Sequence, residues 1–465
     1  MMAQTLRVSL KTVMPTFFTQ SFRQAASRNF TTMTRRAYST PTHYPKQHLI
    51  PTSGIYPKGF KAGSLATNVK KTGAKDLTLI ISKDHPCTAA AVFTTNQFCA
   101  APVQVSREIV GKSAGADNHG AVRAVVVNSG CANACTGEEG LTNAWKMSKQ
   151  VDDLLGGGSK PSTVVMSTGV IGQPLDMKKI SDGINKLVGR VSEDHEGWLA
   201  AAEGIMTTDT FPKLQSKEFS GPNGTYRMAG WCKGAGMIHP NMATMLSSVF
   251  TDVAISKECL DAALKYAADR SFNAISIDGD TSTNDTFAVL ANGAAGGPVI
   301  DDLHSAAFTE FRDNLTTFSA ELAKLIVRDG EGATKFVDIQ VEGARSFEEA
   351  KHIASTVATS PLVKTAIYGK DANWGRIVCA VGYAGVPIVP ERVNLHFGPG
   401  DGTLDALHLF KDGAPFDVNE EKAAAILEKE DLVIRIDLGL GSAKAQMYTC
   451  DFSHEYVSIN ADYRS

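Results

Sequence analysis

Lys233-Gly234-Ala235-Gly236-Met237-Ile238-His239-Pro240-Asn241-Met242-Ala243-Thr244-Met245-Leu246 reads KGAGMIHPNMATML. Glycines at 234 and 236 let the backbone approach a neighbour closely, and Pro240 stiffens the path that follows. A small residue, Ala243, stands before Thr244, and the run after it has the look of a buried strand. By propensity alone Thr244 is a β-former like any other threonine.

Helical and extended patterns alternate on both sides of this stretch, which predicts an α/β layered fold. Upstream, Ala124-Val125-Val126-Val127 reads as a strand buried on both faces. Downstream, Phe308, Phe311, Leu315, Phe318, Leu322 and Leu325 recur at three- and four-residue spacing, the stripe of a long helix. The pattern ends at Gly330, which suits a left-handed C-terminal turn. Glu331 is then expected where this helix gives way to a strand in which Val337, Ile339 and Val341 alternate with Asp338 and Gln340. Ser346 and Glu349 have the spacing of a capping box opening another helix. Leu432, Ile434, Ile436 and Leu438 alternate with Arg435 and Asp437, marking a half-exposed strand. No repeat, low-complexity tract or Pro/Ser linker divides this region, so a second domain would be tightly connected.

Several short polar loops adjoin the apolar runs: Ser167-Thr168-Gly169, Thr207-Thr208-Asp209-Thr210 and the stretch from Asp278 to Asp285. The last alternates acids like a calcium loop, but Thr283 stands where an EF-hand needs glycine and Val289 where it needs a bidentate carboxylate. It reads as a polar turn. The eight cysteines follow no framework spacing, and Cys131 and Cys135 form a C-x3-C pair with no second half-site. Neither a zinc-protease motif nor a phosphate or dinucleotide loop is present, so no metal and no bound cofactor is expected.

With 465 residues, 43% hydrophobic and 20% charged, the chain is large enough for two or three domains or one unusually large α/β body. No apolar run approaches the roughly 18 residues of a membrane span. A net charge of −3 argues against a polyanion partner. The charge is uneven: the first acid is Asp76, while Arg7, Lys11, Arg23, Arg28, Arg35 and Arg36 lie before residue 41 among 12 Ser and Thr. Leu6, Leu10, Val13 and Met14 add an apolar helical stripe. Residues 1–40 therefore resemble a mitochondrial presequence, with Arg36-Ala37-Tyr38-Ser39 similar to a matrix-peptidase site. Losing those six charges takes the net from −3 to −9, the expectation for a soluble protein of the mitochondrial matrix.

KGAGMIHPNMATML, with STGVIG at 167–172 and DGEGATK at 329–335, closely resembles the ornithine acetyltransferase (ArgJ, glutamate N-acetyltransferase) family. VNSGCANACTG at 127–137, GKDANWGRI at 369–377 and the terminal YVSINADYRS extend the likeness over roughly residue 50 to Ser465. The resemblance implies an αββα sandwich similar to N-terminal-nucleophile hydrolases but connected differently, plus a smaller α+β C-terminal domain. It implies self-cleavage between Ala243 and Thr244, giving an α chain of residues 41–243 and a β chain of 244–465. Within the β chain, 244–340 would complete the sandwich, 341–450 form the smaller domain and 451–465 reach the active site as an ordered tail. Thr244 is then the nucleophile, and Thr168 and Gly169 the oxyanion hole. Substrate contacts carry over onto Thr207, Lys233, Thr244, Glu331, Asn460 and Ser465; relatives in bacteria commonly end in threonine, and the serine here keeps the hydroxyl. The implied reaction is ping-pong transfer of acetyl from N2-acetyl-L-ornithine to L-glutamate. Some family members also accept acetyl-CoA as donor, and an α2β2 heterotetramer is the implied assembly, with no nucleic-acid or membrane partner.

The chemistry gives this arrangement a reason. A threonine hydroxyl is a weak nucleophile and needs a base within hydrogen-bond reach. Cutting before Thr244 frees an α-amino group whose ordinary pKa is about 7.7 to 8.0. One residue then supplies both nucleophile and base. Two other readings use the same residues: an aminopeptidase or amidase that delivers the acyl group to water, and a non-enzymatic amino-acid-binding protein that keeps the fold.

Overall fold

The computed structural model describes residues 44–82, 84–112, 121–158, 160–239, 245–417 and 419–461. They all fall within one compact unit, Ser39–Ser465. The presequence expected over 1–40 lies outside the described residues, as do Ala243, Thr244 and Ser465.

The described chain opens on short apolar strands and helices: β1 (Lys61–Leu65), β2 (Leu77–Ile81), β3 (Thr88–Phe93), then helix α1 (Ala101–Lys112), β4 (Ala124–Asn128), α2 (Gly137–Leu154), β5 (Thr163–Ser167), α3 (Met177–Leu187) and α4 (His195–Gly204). All five residues of β4 are buried, as its unbroken valine run predicts. The strands order as β1-β2-β4-β5, antiparallel except for the parallel β4/β5 pair. A long hairpin follows, β6 (Lys213–Gly221) and β7 (Gly224–Lys233), then β8 (Leu246–Thr251), α5 (Lys257–Asp269), β9 (Ile275–Ser276), β10 (Thr286–Ala291) and α6 (Ala306–Arg328). The second sheet orders as β3-β10-β8-β7-β6.

Period-two alternation decides what each face of this second sheet meets. Ala229, Trp231, Leu246, Phe250, Ala288 and Leu290 share one core with the first sheet, and Met166 Sδ lies 4.0 Å from Ser248 Oγ across the gap. The opposite face, with Met228, Val249, Phe287 and Val289, packs on Leu260 and Leu264 of α5 and on Phe311, Leu315, Phe318 and Leu322 of α6. Helices α1, α2 and α3 lie against the first sheet, while α4 touches β1 and β2 of one sheet and β6 and β7 of the other. The layering is αββα.

The remaining chain builds a third sheet with its own apolar core: β11 (Phe336–Ala344), α7 (Phe347–Thr359), α8 (Pro361–Tyr368), α9 (Trp374–Tyr383), β12 (Asn394–Pro399), β13 (Leu407–Lys411), β14 (Ala414–Pro415), α10 (Glu420–Leu427), β15 (Asp431–Asp437), β16 (Ala443–Cys450) and α11 (His454–Ala461). Its sheet runs β14-β13-β12-β15-β11-β16-β9, so β9 from the sandwich region supplies one edge. The domain boundary expected between 340 and 341 falls inside β11, which pairs with β15 and β16 from Phe336 onward.

Two local expectations are corrected. Helix α6 ends at Arg328 with Asp329 as its C-cap at φ −98°, and the left-handed residue is Gly332 at φ +69°, not Gly330. A Cβ on Gly332 would lie 2.6 Å from Ser453 Oγ and 2.8 Å from Tyr456 N, so the C-terminal segment packs directly on it. At α7, Ser346 accepts from Glu349 N at 3.2 Å, but Glu349 bonds Arg345 Nε at 3.0 Å, leaving the capping box half made.

Candidate active site

The parallel strands β4 and β5 end side by side, and their loops form the first wall. Thr168 N donates to Asn128 O at 2.9 Å, and Cys131 bridges Thr168 and Val170. Gly169 has φ +126°, and a Cβ there would sit 2.8 Å from Cys131 N and from Gly130 C. Only glycine fits this turn without moving backbone. The turn thereby fixes the backbone that follows Thr168.

The second wall comes from the quoted motif. Strand β7 ends at Lys233, whose register partner is Leu246 at the start of β8. Lys233 is buried, and its Nζ lies 3.4 Å from Thr168 Oγ1. Burial pushes the Lys233 ammonium below the usual lysine range, with Asp209 opposing. Met245, one residue before β8, has its carbonyl accept from Thr286 N at 3.1 Å. Thr244, immediately before Met245 in sequence, and Ala243 lie outside the described residues.

A third segment brings the carboxylate. Glu331 N donates to Ala235 O at 2.8 Å, which docks the loop after α6 on the motif's glycine turn. A Cβ on Gly236 would fall 2.3 Å from Glu331 Oε2, so glycine is required for that approach. Asn460 Nδ2 of α11 donates to Glu331 Oε2 at 2.7 Å. The C-terminal helix therefore reaches the site, although Ser465 lies outside the described residues.

Thr207 joins through a group that the sequence left among polar loop residues. Asp209 Oδ2 accepts from Thr207 N at 2.8 Å, while Asp209 Oδ1 accepts from Gly234 N at 2.8 Å and from Lys213 Nζ at 2.6 Å. Lys213 Nζ also meets Asp329 Oδ2 at 2.5 Å, and Asp329 Oδ2 accepts from Thr210 N at 2.9 Å. The Lys213 side chain is fully buried, so this Asp-Lys-Asp triad ties the Thr207 loop, the end of β7 and the loop bearing Glu331 into one unit. Burial alone would raise Asp209, but Lys213, Lys233 and the Gly234 N–H outweigh it and hold Asp209 well below the usual carboxylate range. Burial wins at Asp329, where the Asp209 charge adds to it and pushes the group up. A second missed residue is Asp278, which accepts from Met237 N at 2.6 Å, Ile238 N at 2.9 Å and the Tyr456 hydroxyl at 3.1 Å. It clamps the motif's first half to α11.

Thr168, Thr207, Lys233, Glu331 and Asn460 thus belong to one hydrogen-bonded network made of segments remote in sequence, with Gly169 in the turn next to Thr168. A cation, a carboxylate and neutral donors converge beside a fixed turn, a set that can hold an amino acid by both charges. Gly169→Ala tests the turn. Strain at φ +126° costs on the order of 1–3 kcal/mol. If Gly169 N–H is the oxyanion donor that the resemblance implies, its displacement is expected to slow acyl transfer by roughly 100- to 1,000-fold at saturating substrate. A rate within twofold of the parent would remove this turn from the chemistry.

The ArgJ family model matches residues 61–465. The arginine biosynthesis bifunctional protein ArgJ, mitochondrial, of Yarrowia lipolytica is 56% identical over 422 residues, covering 90% of this chain and 96% of that protein. The protein of the same name from Aspergillus terreus is 53% identical over 452 residues, covering 92% of this chain and 97% of that one. A crystal structure of the ArgJ bifunctional protein from Bacillus halodurans is 39% identical, covers 47% of this chain and 99% of that chain, and has a TM-score of 0.43. Extended over nearly the whole length that folds into the network above, this likeness places the chain in the ArgJ family.

Proposed function

We propose that this chain is a self-cleaving acyltransferase of arginine biosynthesis that moves acetyl from N2-acetyl-L-ornithine to L-glutamate. The observation that carries the reading is the convergence of Lys233, Glu331 and Thr168 where β7 ends opposite the start of β8, with Thr244 two residues before Leu246 in sequence. In the precursor, the Thr244 hydroxyl attacks the Ala243 carbonyl. The peptide C–N bond breaks as an ester forms, and water then resolves the ester, leaving Thr244 with a free α-amino group.

In turnover that amine takes the proton from Oγ as Oγ attacks the acetyl carbonyl of the donor. The Thr168 hydroxyl and the Gly169 N–H stabilise the negative oxygen of the tetrahedral intermediate. The amide C–N bond then breaks, the departing ornithine nitrogen receives the proton, and acetyl stays on Thr244 as an ester. Glutamate's amine attacks this ester, and the Thr244 oxygen leaves with a proton. Lys233 pairs with the amino-acid carboxylate and Glu331 with the side-chain ammonium of acetylornithine, whose α-nitrogen carries the acetyl group, while Thr207, Asn460 and Ser465 add neutral hydrogen bonds. Acylation through an ester needs no resident cofactor; acetyl-CoA enters this scheme only as a second donor.

The matrix is the compartment in this reading, supported by the mitochondrial names of the relatives and the basic, acid-free first 40 residues. Among the described residues no helix is long and apolar enough to cross a membrane. An α2β2 assembly of the two cleaved chains completes the proposal. Its test is product analysis of the cleaved protein given acetylornithine with and without glutamate. N-acetylglutamate is expected, and only when glutamate is present; free acetate as the main product in both tubes would mean a hydrolase instead.

A further inference from the structure

The two amino acids that share a ping-pong site differ in charge. N2-acetylornithine brings one carboxylate and one ammonium, whereas glutamate brings two carboxylates and one amine. Lys233 and Glu331 balance the first, but glutamate's second carboxylate needs another cation. Lys213 cannot supply it, because Asp209 and Asp329 already hold its ammonium in the interior.

Lys70 has the required placement. Its backbone N would lie 3.0 Å from a Cβ on Gly130, and Gly130 is the residue against which Gly169 packs. Its Nζ donates to Met206 O at 2.7 Å, one residue before Thr207, and to Lys75 O at 2.9 Å. Lys70 therefore spans the oxyanion turn and the Thr207 loop. Its two bonds use two of the three N–H groups of an ammonium, and the third has no partner among the described residues. Asp76, six residues further along, is occupied by the N–H groups of Thr67, Val69 and Lys70. The charges within reach of the ammonium are Asp76, Asp209 and Lys233.

We propose that Lys70 is the acceptor-specific cation of the site, binding the side-chain carboxylate of glutamate and making no bond to acetylornithine. This rests on the acetyl-transfer reading above. Burial brings the Lys70 ammonium down to about 8, opposed by Asp76 and Asp209 and reinforced by Lys233. Its charge is therefore present below that pH and lost above it.

Lys70→Met tests the assignment, with exposed Lys71→Met as control. The two half-reactions are followed separately, as acetylation of the enzyme by acetylornithine in a single turnover and as discharge of the acetyl-enzyme by glutamate. In Lys70→Met the apparent KM for glutamate is expected to rise by roughly 10- to 100-fold, the worth of one charge-assisted hydrogen bond, while the loss of the Met206 bond beside Thr207 should slow acylation by a factor roughly tenfold smaller. Lys70→Arg gives a second measurement that does not depend on the folding of the methionine variant. The parent's KM for glutamate should climb as pH passes about 8, and this climb should be absent with arginine, which stays charged. Equal loss in both half-reactions, no loss in either, or the same pH profile in the arginine variant would overturn the proposal. Failure of the acetyl-transfer reading is distinct: the parent would then not acetylate itself from acetylornithine at all.

Discussion

Thr244→Ala is expected to give a single uncut chain with no measurable acetyl transfer, a fall of roughly ten-thousandfold or more in rate. Both losses have one cause. The same hydroxyl attacks Ala243 in the precursor and the acetyl group in the mature enzyme, so its removal stops the first reaction and leaves no nucleophile for the second. Thr244→Ser separates sterics from chemistry: it keeps the hydroxyl, so splitting should persist at a reduced rate. Denaturing gels report the splitting, and N-acetylglutamate formation reports the transfer. Two normal subunits from Thr244→Ala would mean that another group cuts the chain.

The second large effect belongs to the buried triad. Lys213→Met removes the one ammonium between Asp209 and Asp329 and leaves carboxylates in a site where all three side chains are at most 1% exposed. Breaking a buried ion pair from one side costs about 3–5 kcal/mol, which chemical denaturation would read as a lowered midpoint. The two acids should not respond alike. Asp209 is held ionised, so its replacement by asparagine disturbs Lys213 and the Gly234 and Thr207 N–H groups together. Asp329 is pushed toward its neutral form, so Asp329→Asn should cost less. Because the folded pKa of Asp209 is depressed, its contribution is present above the ordinary value near 3.9 and fades as pH falls through the folded value. A Lys213→Met protein less than about 1 kcal/mol below the parent would show that the triad holds nothing together.

What the sequence made legible was local. The valine run of β4, the apolar stripe of α6 and the alternation of β11 and β15 carry their own periodicity, and each formed as read. The motif residues Thr168, Gly169, Thr207, Lys233, Glu331 and Asn460 are drawn together by loops that had already been singled out. Missed were groups whose partners lie far along the chain. Lys213 and Asp329 are 116 residues apart, and nothing in the spacing of either suggests the other. Asp209 stood inside a quoted loop and Asp278 inside a rejected calcium motif, yet their work is to hold backbone N–H groups of another segment. The bound expected at 340/341 falls inside β11. Strand β11 pairs with β15 and β16, whose sequences come about a hundred residues later, so its membership is a tertiary fact. Gly330 and Gly332 both suit a left-handed turn; the choice falls to Gly332 because Ser453 and Tyr456 press on it.

Mass measurement of the 244–465 chain tests the central claim most directly. Incubated with N2-acetylornithine and no acceptor, that chain should become heavier by one acetyl group, located on its N-terminal Thr244, while ornithine is released. Adding glutamate should return the original mass and yield N-acetylglutamate. An unsplit chain in the native protein, an acetyl group on a residue other than Thr244, or acetate rather than N-acetylglutamate on adding glutamate would contradict it.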